Sequence, residues 1–257
     1  MLSSLLDLFL PRWCMVCGRT LTTSEHILCA TCYLKMPRRW IPSFTENNII
    51  DLFEDILRLE RAATYMPYRP GNQFSKLITA NKYDGKPDVG ETLGKWAAVE
   101  LTPKGLFEGI DMLIPVPLSK QRQKARGYNQ SETICKGIRK VCDIPISVNN
   151  LLRIRDTDSQ VGKNVTERKE NIAGAFAVVN PDALCDKHIM LVDDVLTTGA
   201  TLLECAKTIH KAQPSAHISV FTIGYARTRF LSLIDPIDSD EADETDDDAL
   251  GITLDML

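Results

Sequence analysis

One stretch constrains this chain more than any other: a short apolar strand that ends in two carboxylates and turns into a helix. Ile189-Met190-Leu191-Val192 is continuously apolar, Asp193-Asp194 follows, and Val195 through Gly199 leads into a helix predicted from Ala200 to Ala212. In open α/β sheets, ligands sit beyond the carboxyl ends of strands. Small residues at the start of a helix let backbone N–H groups face an anion, which the helix dipole favours. Thr197, Thr198 and Thr201 add hydroxyl donors. Two adjacent acids would repel a phosphate unless they bind sugar hydroxyls or act through Mg²⁺. A ligand that carries both a phosphate and a diol satisfies all of these groups. The plainer alternative, a capped helix after a strand, explains one threonine and not the run.

The rest of the chain supplies a matching rhythm. Ala62–Tyr68 and Met112–Ile114 read as strands, Ile144–Val148 as strand-like, and Ile218–Gly224 as the strand after the Ala200 helix. Helices are predicted around Ile50–Leu59, from Phe74 towards Lys82, over Val89–Leu101 and over Gln130–Val141. Leu2, Leu5, Leu6, Phe9 and Leu10 follow a helical spacing that Pro11 ends. Residues between Pro117 and Gln130 read as a polar loop rich in Lys and Arg. Asp156 to Asn171 has no apolar period and reads as a mobile loop. Alternating strands and helices imply parallel pairing with helices on both faces.

The Asp193–Thr201 segment resembles the loop that binds phosphoribosyl pyrophosphate (PRPP) in type I phosphoribosyltransferases. Further segments narrow the resemblance to the ComF family: Ile114-Pro115-Val116-Pro117-Leu118, then Arg126-Gly127-Tyr128-Asn129-Gln130, then Gln160, Arg168, Asn171 and Gly174-Ala175-Phe176, behind a four-cysteine module. The resemblance covers most of residues 1–228. It implies an α/β fold, a type I phosphoribosyltransferase-like parallel sheet flanked by helices, with a small N-terminal zinc module. It places Asp193 and Asp194 on the ribose hydroxyls and wraps Leu196, Thr197, Thr198, Gly199, Ala200 and Thr201 around the 5-phosphate. One acid also stabilises positive charge that develops at the anomeric carbon. Pro115 and Pro117 stiffen a backbone cradle for pyrophosphate around Val116. Arg126 clamps a diphosphate in a bidentate way, and Lys82 reaches it as a point charge. Arg168, and less firmly Gln160, sit in a loop that closes as a lid. The implied domains are 1–58 (helix and zinc module), 59–228 (transferase-like) and 229–257 (acidic tail).

Cys14-x2-Cys17 and Cys29-x2-Cys32 are separated by the eleven residues from Gly18 to Leu28. Four thiolates in two knuckles suit tetrahedral Zn²⁺ and leave no open position, so the role is structural. An iron–sulfur cluster uses the same ligands, and His26 offers a substitute for one of them. Cys135 and Cys142, seven apart on one predicted helix face, read as core thiols.

The 257 residues carry 30 Lys and Arg against 34 Asp and Glu, but ten of the acids fall between Asp235 and Leu257, where there is no Lys or Arg. Residues 1–234 therefore hold 30 basic against 24 acidic side chains, a net +6. A basic body suits a phosphorylated ligand or nucleic acid. The tail is expected to be disordered and solubilising; the sharper alternative is that it folds back and competes with anionic ligands. No apolar run approaches the ~18 residues of a membrane span. The start of the chain lacks the features of a signal peptide, so a cytoplasmic protein with reduced cysteines is expected.

Two functional classes follow. One is a transferase that uses Mg²⁺ with PRPP, passes phosphoribose to an unknown acceptor and is linked to DNA uptake in natural competence. Residue 2 is Leu rather than Cys, so ammonia from glutamine is not expected. The other is a non-catalytic protein that senses PRPP or binds single-stranded DNA. For that reading Arg12, Arg19, Lys35, Arg38 and Arg39 lie near Trp13, Tyr33 and Trp40, a composition that suits base stacking.

Overall fold

The computed structural model describes residues 11–38, 43–54, 56–83, 85–155 and 172–226. The N-terminal apolar segment, the loop with Gln160, Arg168 and Asn171, and the acidic tail lie outside the described residues, as do Arg39 and Trp40. The division between Met36 and Pro37 separates two compact units.

In the smaller unit the two cysteine knuckles precede and open one short helix, α1 (Ala30–Leu34). Glu25 ties the unit together. Its carboxylate accepts from the backbone N–H of Thr22 at 2.8 Å and of Ala30 at 2.6 Å. Those two amides hold its pKa below the usual carboxylate value.

The larger unit begins with α2 (Asn48–Glu54) and continues with β1 (Ala62–Tyr68), α3 (Ser75–Tyr83), α4 (Pro87–Leu101), β2 (Met112–Pro115), α5 (Lys120–Arg126) and α6 (Gln130–Cys142). It closes with β3 (Leu151–Arg153), β4 (Phe176–Val178), β5 (His188–Leu196), α7 (Ala200–Ala212) and β6 (His217–Ala226). Four strands form a parallel sheet in the order β1-β6-β5-β2, while β3 and β4 pair separately and antiparallel. β1 lies at an edge of the sheet, the kind of strand to which proline, here Pro67, is mostly confined. The segment expected as a strand over 144–148 contributes one bridge, Leu113 to Ile146, alongside β2.

The sheet is covered on both faces, which explains the unbroken apolar run in β5. Ile189 and Leu191 of β5 and Ile218 and Val220 of β6 share a core with Ile49 and Phe53 of α2 and Leu202, Leu203, Ala206 and Ile209 of α7. Met190, Val192, Phe221 and Ile223 alternate to the other face and are equally buried. Helix α2 thus packs within the larger unit.

Helices α4 and α6 meet backbone to backbone. A Cβ added to Gly137 of α6 would stand 2.0 Å from the Glu91 carbonyl oxygen, and one added to Gly94 of α4 would stand 2.2 Å from that of Ile134. Neither neighbour is a flexible side-chain tip, so a methyl group has to push the helices apart. Overpacking costs about 1–3 kcal/mol and occasionally more. Gly137→Ala is therefore expected to destabilise the protein by about 3 kcal/mol, and in a unit of this size to lower Tm by roughly 6–12 °C. A melting temperature within about 2 °C of the parent would contradict the close approach.

Candidate functional site

The sequence places Asp193-Asp194 after a strand, but β5 runs through both acids and stays paired with β6 as far as Leu196 and Tyr225. Ladder hydrogen bonds, rather than a loop, hold the backbone at the acids. After Leu196 the chain turns through Thr197 and Thr198 to Gly199, whose φ of 74° is left-handed and suits glycine. Gly199 caps α7, and Phe53 of α2 packs beneath it, 3.7 Å from where a Cβ would be. Thr197 is exposed, Thr198 and Thr201 are half-buried, and Gly199 and Ala200 are buried. The Leu196 side chain lies in the core. The turn therefore offers its backbone and threonine hydroxyls at the start of a thirteen-residue helix.

The acids have different partners. Lys82 of α3 pairs with Asp194 Oδ2 at 3.1 Å, with its ammonium 5.9 Å from the centre of the Tyr68 ring. Ser131 Oγ of α6 donates to Asp193 Oδ1 at 3.0 Å, and the Asp194 N–H donates to the same oxygen at 2.9 Å. Burial, and then the charge of Asp194, push the Asp193 carboxyl up to about 7. A carboxylate that is costly to ionise beside a second one is a common feature of ligand sites.

The stretch between Pro117 and Gln130, expected as a polar loop, contains the helix α5. Ser119 caps α5 by accepting from the Arg122 N–H, and Gly127 ends it with φ 81°. Lys, Gln and Arg are good helix formers, so the segment needs no apolar stripe. Arg126 donates to Gln130 Oε1 at 2.9 Å. Val116 is buried; its N–H donates to the Val192 carbonyl at 2.9 Å, and its own carbonyl accepts from Asn129 Nδ2 at 3.0 Å. The structure thus brings Lys82, Asp193 and Asp194 together. Arg168 lies outside the described residues.

Sequence reasoning missed Ser131, Thr133 and Asn81. Thr133 Oγ1 lies 3.3 Å from Asn81 Oδ1, and the Asn81 carbonyl accepts from Tyr128 OH at 2.8 Å. Nothing local marks these residues, because their partners are 62, 52 and 47 positions away.

The Sγ atoms of Cys14, Cys17, Cys29 and Cys32 lie within 4.8 Å of one another. The 3.7 Å between Cys17 and Cys29 matches the ~3.8 Å edge of a tetrahedron with Zn–S bonds of about 2.3 Å. Burial pushes the Cys14 thiol up, but the backbone N–H groups of Cys17, Cys29 and Val16 outweigh it and draw it down to about 6. Burial and the neighbouring thiols push Cys32 up, as expected where four sulfurs converge and cannot all be ionised without a cation. The four sulfurs are placed as a metal site needs them, and an ion such as zinc fits the set. Cys135 is a core thiol as expected, whereas Cys142 is only half-buried and lies 3.1 Å from Thr102 Oγ1.

No family model matches the chain. Its homologues carry names linked to DNA use and competence. It is 27% identical over 209 residues to the DNA utilization protein YhgH of Escherichia coli, covering 79% of this chain and 87% of that one. It is 27% identical over 211 residues to competence protein ComFC of Bacillus subtilis, covering 82% and 76%. It is 37% identical over 102 residues to competence protein F of Haemophilus influenzae, covering 39% and 44%. Its structural neighbours include phosphoribosyltransferases. One is the glutamine PRPP amidotransferase of B. subtilis, with a TM-score of 0.38 and 17% identity over 56% of this chain and 30% of that one. No helix among the described residues is long and apolar enough to cross a membrane.

Proposed function

We propose that the chain binds PRPP with Mg²⁺ and transfers phosphoribose to an acceptor, in a role connected with DNA uptake. The observation that carries this reading is the order along β5 and α7: two carboxylates at the carboxyl end of a parallel strand, then a threonine turn at a helix start. The acids take the ribose hydroxyls, and the Thr197–Thr201 turn takes the 5-phosphate. Lys82, now paired with Asp194, faces the diphosphate once a ligand enters, and Arg126 adds a second positive group. Mg²⁺ bound with the diphosphate would neutralise charge on the leaving group. In the reaction the acceptor's lone pair forms a bond to the anomeric carbon. The bond from that carbon to the diphosphate breaks, pyrophosphate leaves with the electron pair, and the acceptor's proton passes to solvent. Calorimetric titration with PRPP and Mg²⁺ is expected to show one site per chain. Pyrophosphate release across a panel of acceptors then identifies the substrate. Absence of PRPP binding overturns the reading.

A second reading, binding of single-stranded DNA by the cysteine unit, is favoured by Trp13, which is 58% exposed. Tyr33 offers no stacking surface, since it is buried. Arg38 is also committed elsewhere, to Glu100 at 2.9 Å. A Trp13→Ala change that leaves affinity for a single-stranded oligonucleotide unaltered removes this reading.

A further inference from the structure

The first turn of α6 touches four parts of the candidate site at once. Asn129 Nδ2 holds the Val116 carbonyl, Gln130 Oε1 holds Arg126, and Ser131 Oγ holds Asp193. Thr133 faces Asn81, the neighbour of the Lys82 that pairs with Asp194. Asn129, Gln130, Ser131 and Thr133 are all buried, so these hydroxyls and amides work inside the protein. The turn itself is fixed. Asn129 caps it by accepting from the Ser131 N–H, and a Cβ on Gly90 of α4 would stand 2.1 Å from Thr133 Oγ1.

We propose that Ser131 is a positioning residue, whose hydroxyl fixes the Asp193 carboxylate in the orientation that the ligand's hydroxyls require. The inference rests on the PRPP reading above for the identity of the ligand. Ser131 approaches the acid from α6, Lys82 approaches the pair from α3, Asp194 adjoins it on β5, and Cys205 of α7, whose thiol is raised first by burial and then by the Asp193 charge, lies behind it. Among these groups Ser131 is the neutral hydroxyl donor to Asp193. A hydroxyl that donates to a carboxylate both orients it and favours its charged form.

The test uses the full chain with S131A and S131T. Hydrogen bonds to charged groups are among the stronger ones, so S131A is expected to weaken PRPP binding by about tenfold or more, and S131T, which keeps the hydroxyl, to restore most of it. A purely structural serine would not move a second readout, the carbon-13 titration of the Asp193 carboxyl in ligand-free protein. Loss of the donor is expected to shift its midpoint to higher pH in S131A and not in S131T. An unmoved midpoint in folded S131A overturns the inference, whatever happens to PRPP. If the wild-type chain takes up no PRPP while the midpoint moves, Ser131 still positions Asp193, and the function proposed above falls instead.

Discussion

Changing Asp193 and Asp194 together to asparagine is expected to abolish PRPP binding while leaving the fold intact. Each carboxylate that accepts a ligand hydroxyl makes a charge-assisted hydrogen bond, worth about 1.5–3 kcal/mol. Loss of both corresponds to roughly a hundredfold to ten-thousandfold in affinity, beyond the range of ordinary calorimetry. Stability moves the other way. An aspartate ionises near about 3.9 in an unfolded chain, whereas burial and Asp194 hold Asp193 up to about 7 in the fold. Between these values the folded state binds more protons, so stability falls as pH rises through the window and the full penalty is present above it. An Asp193→Asn change removes that penalty, so the double variant should melt no lower than the parent at about pH 8, above the window. Undiminished PRPP affinity in the folded double variant refutes the site. A collapse of Tm would mean that the acids serve the fold instead.

The cysteine unit is expected to hold one zinc per chain and to unfold without it. A segment of about 25 residues buries too little apolar surface to fold alone, and structural zinc contributes about 10–16 kcal/mol in comparable small modules. Chelation, or Cys32→Ser, should therefore erase the native amide signals of residues 11–36 in an NMR spectrum while those of the parallel sheet persist. Elemental analysis that finds no metal, or finds iron, contradicts the assignment. A unit that keeps its spectrum after chelation does so too.

The sheet was legible because its signals are local. The predicted limits Ala62–Tyr68 and Ala200–Ala212 coincide with β1 and α7, since apolar runs bounded by turn residues mark both. Helix α5 was not legible, because its cations gave no periodicity and read as a loop. Ser119 and Gly127 were its visible boundaries. The cysteine cluster was legible from spacing alone. The three glycines that let α4 and α6 touch carry no signal of their own, since the reason for each lies across a helix interface. Ser131 escaped for the same reason. Its chemistry depends on a partner that only the fold brings near.

The ladder between β5 and β6 passes Asp193 and ends at Leu196 with Tyr225. Under the proposed function, a dyad held this way stands in its binding form before any ligand arrives. Affinity is then not divided by the fraction of molecules that happen to be competent, a reduction that sites built on wandering loops incur. Discrimination at such a site rests on how well a molecule matches a fixed pair of acceptors. A diol with the wrong spacing gains nothing by waiting.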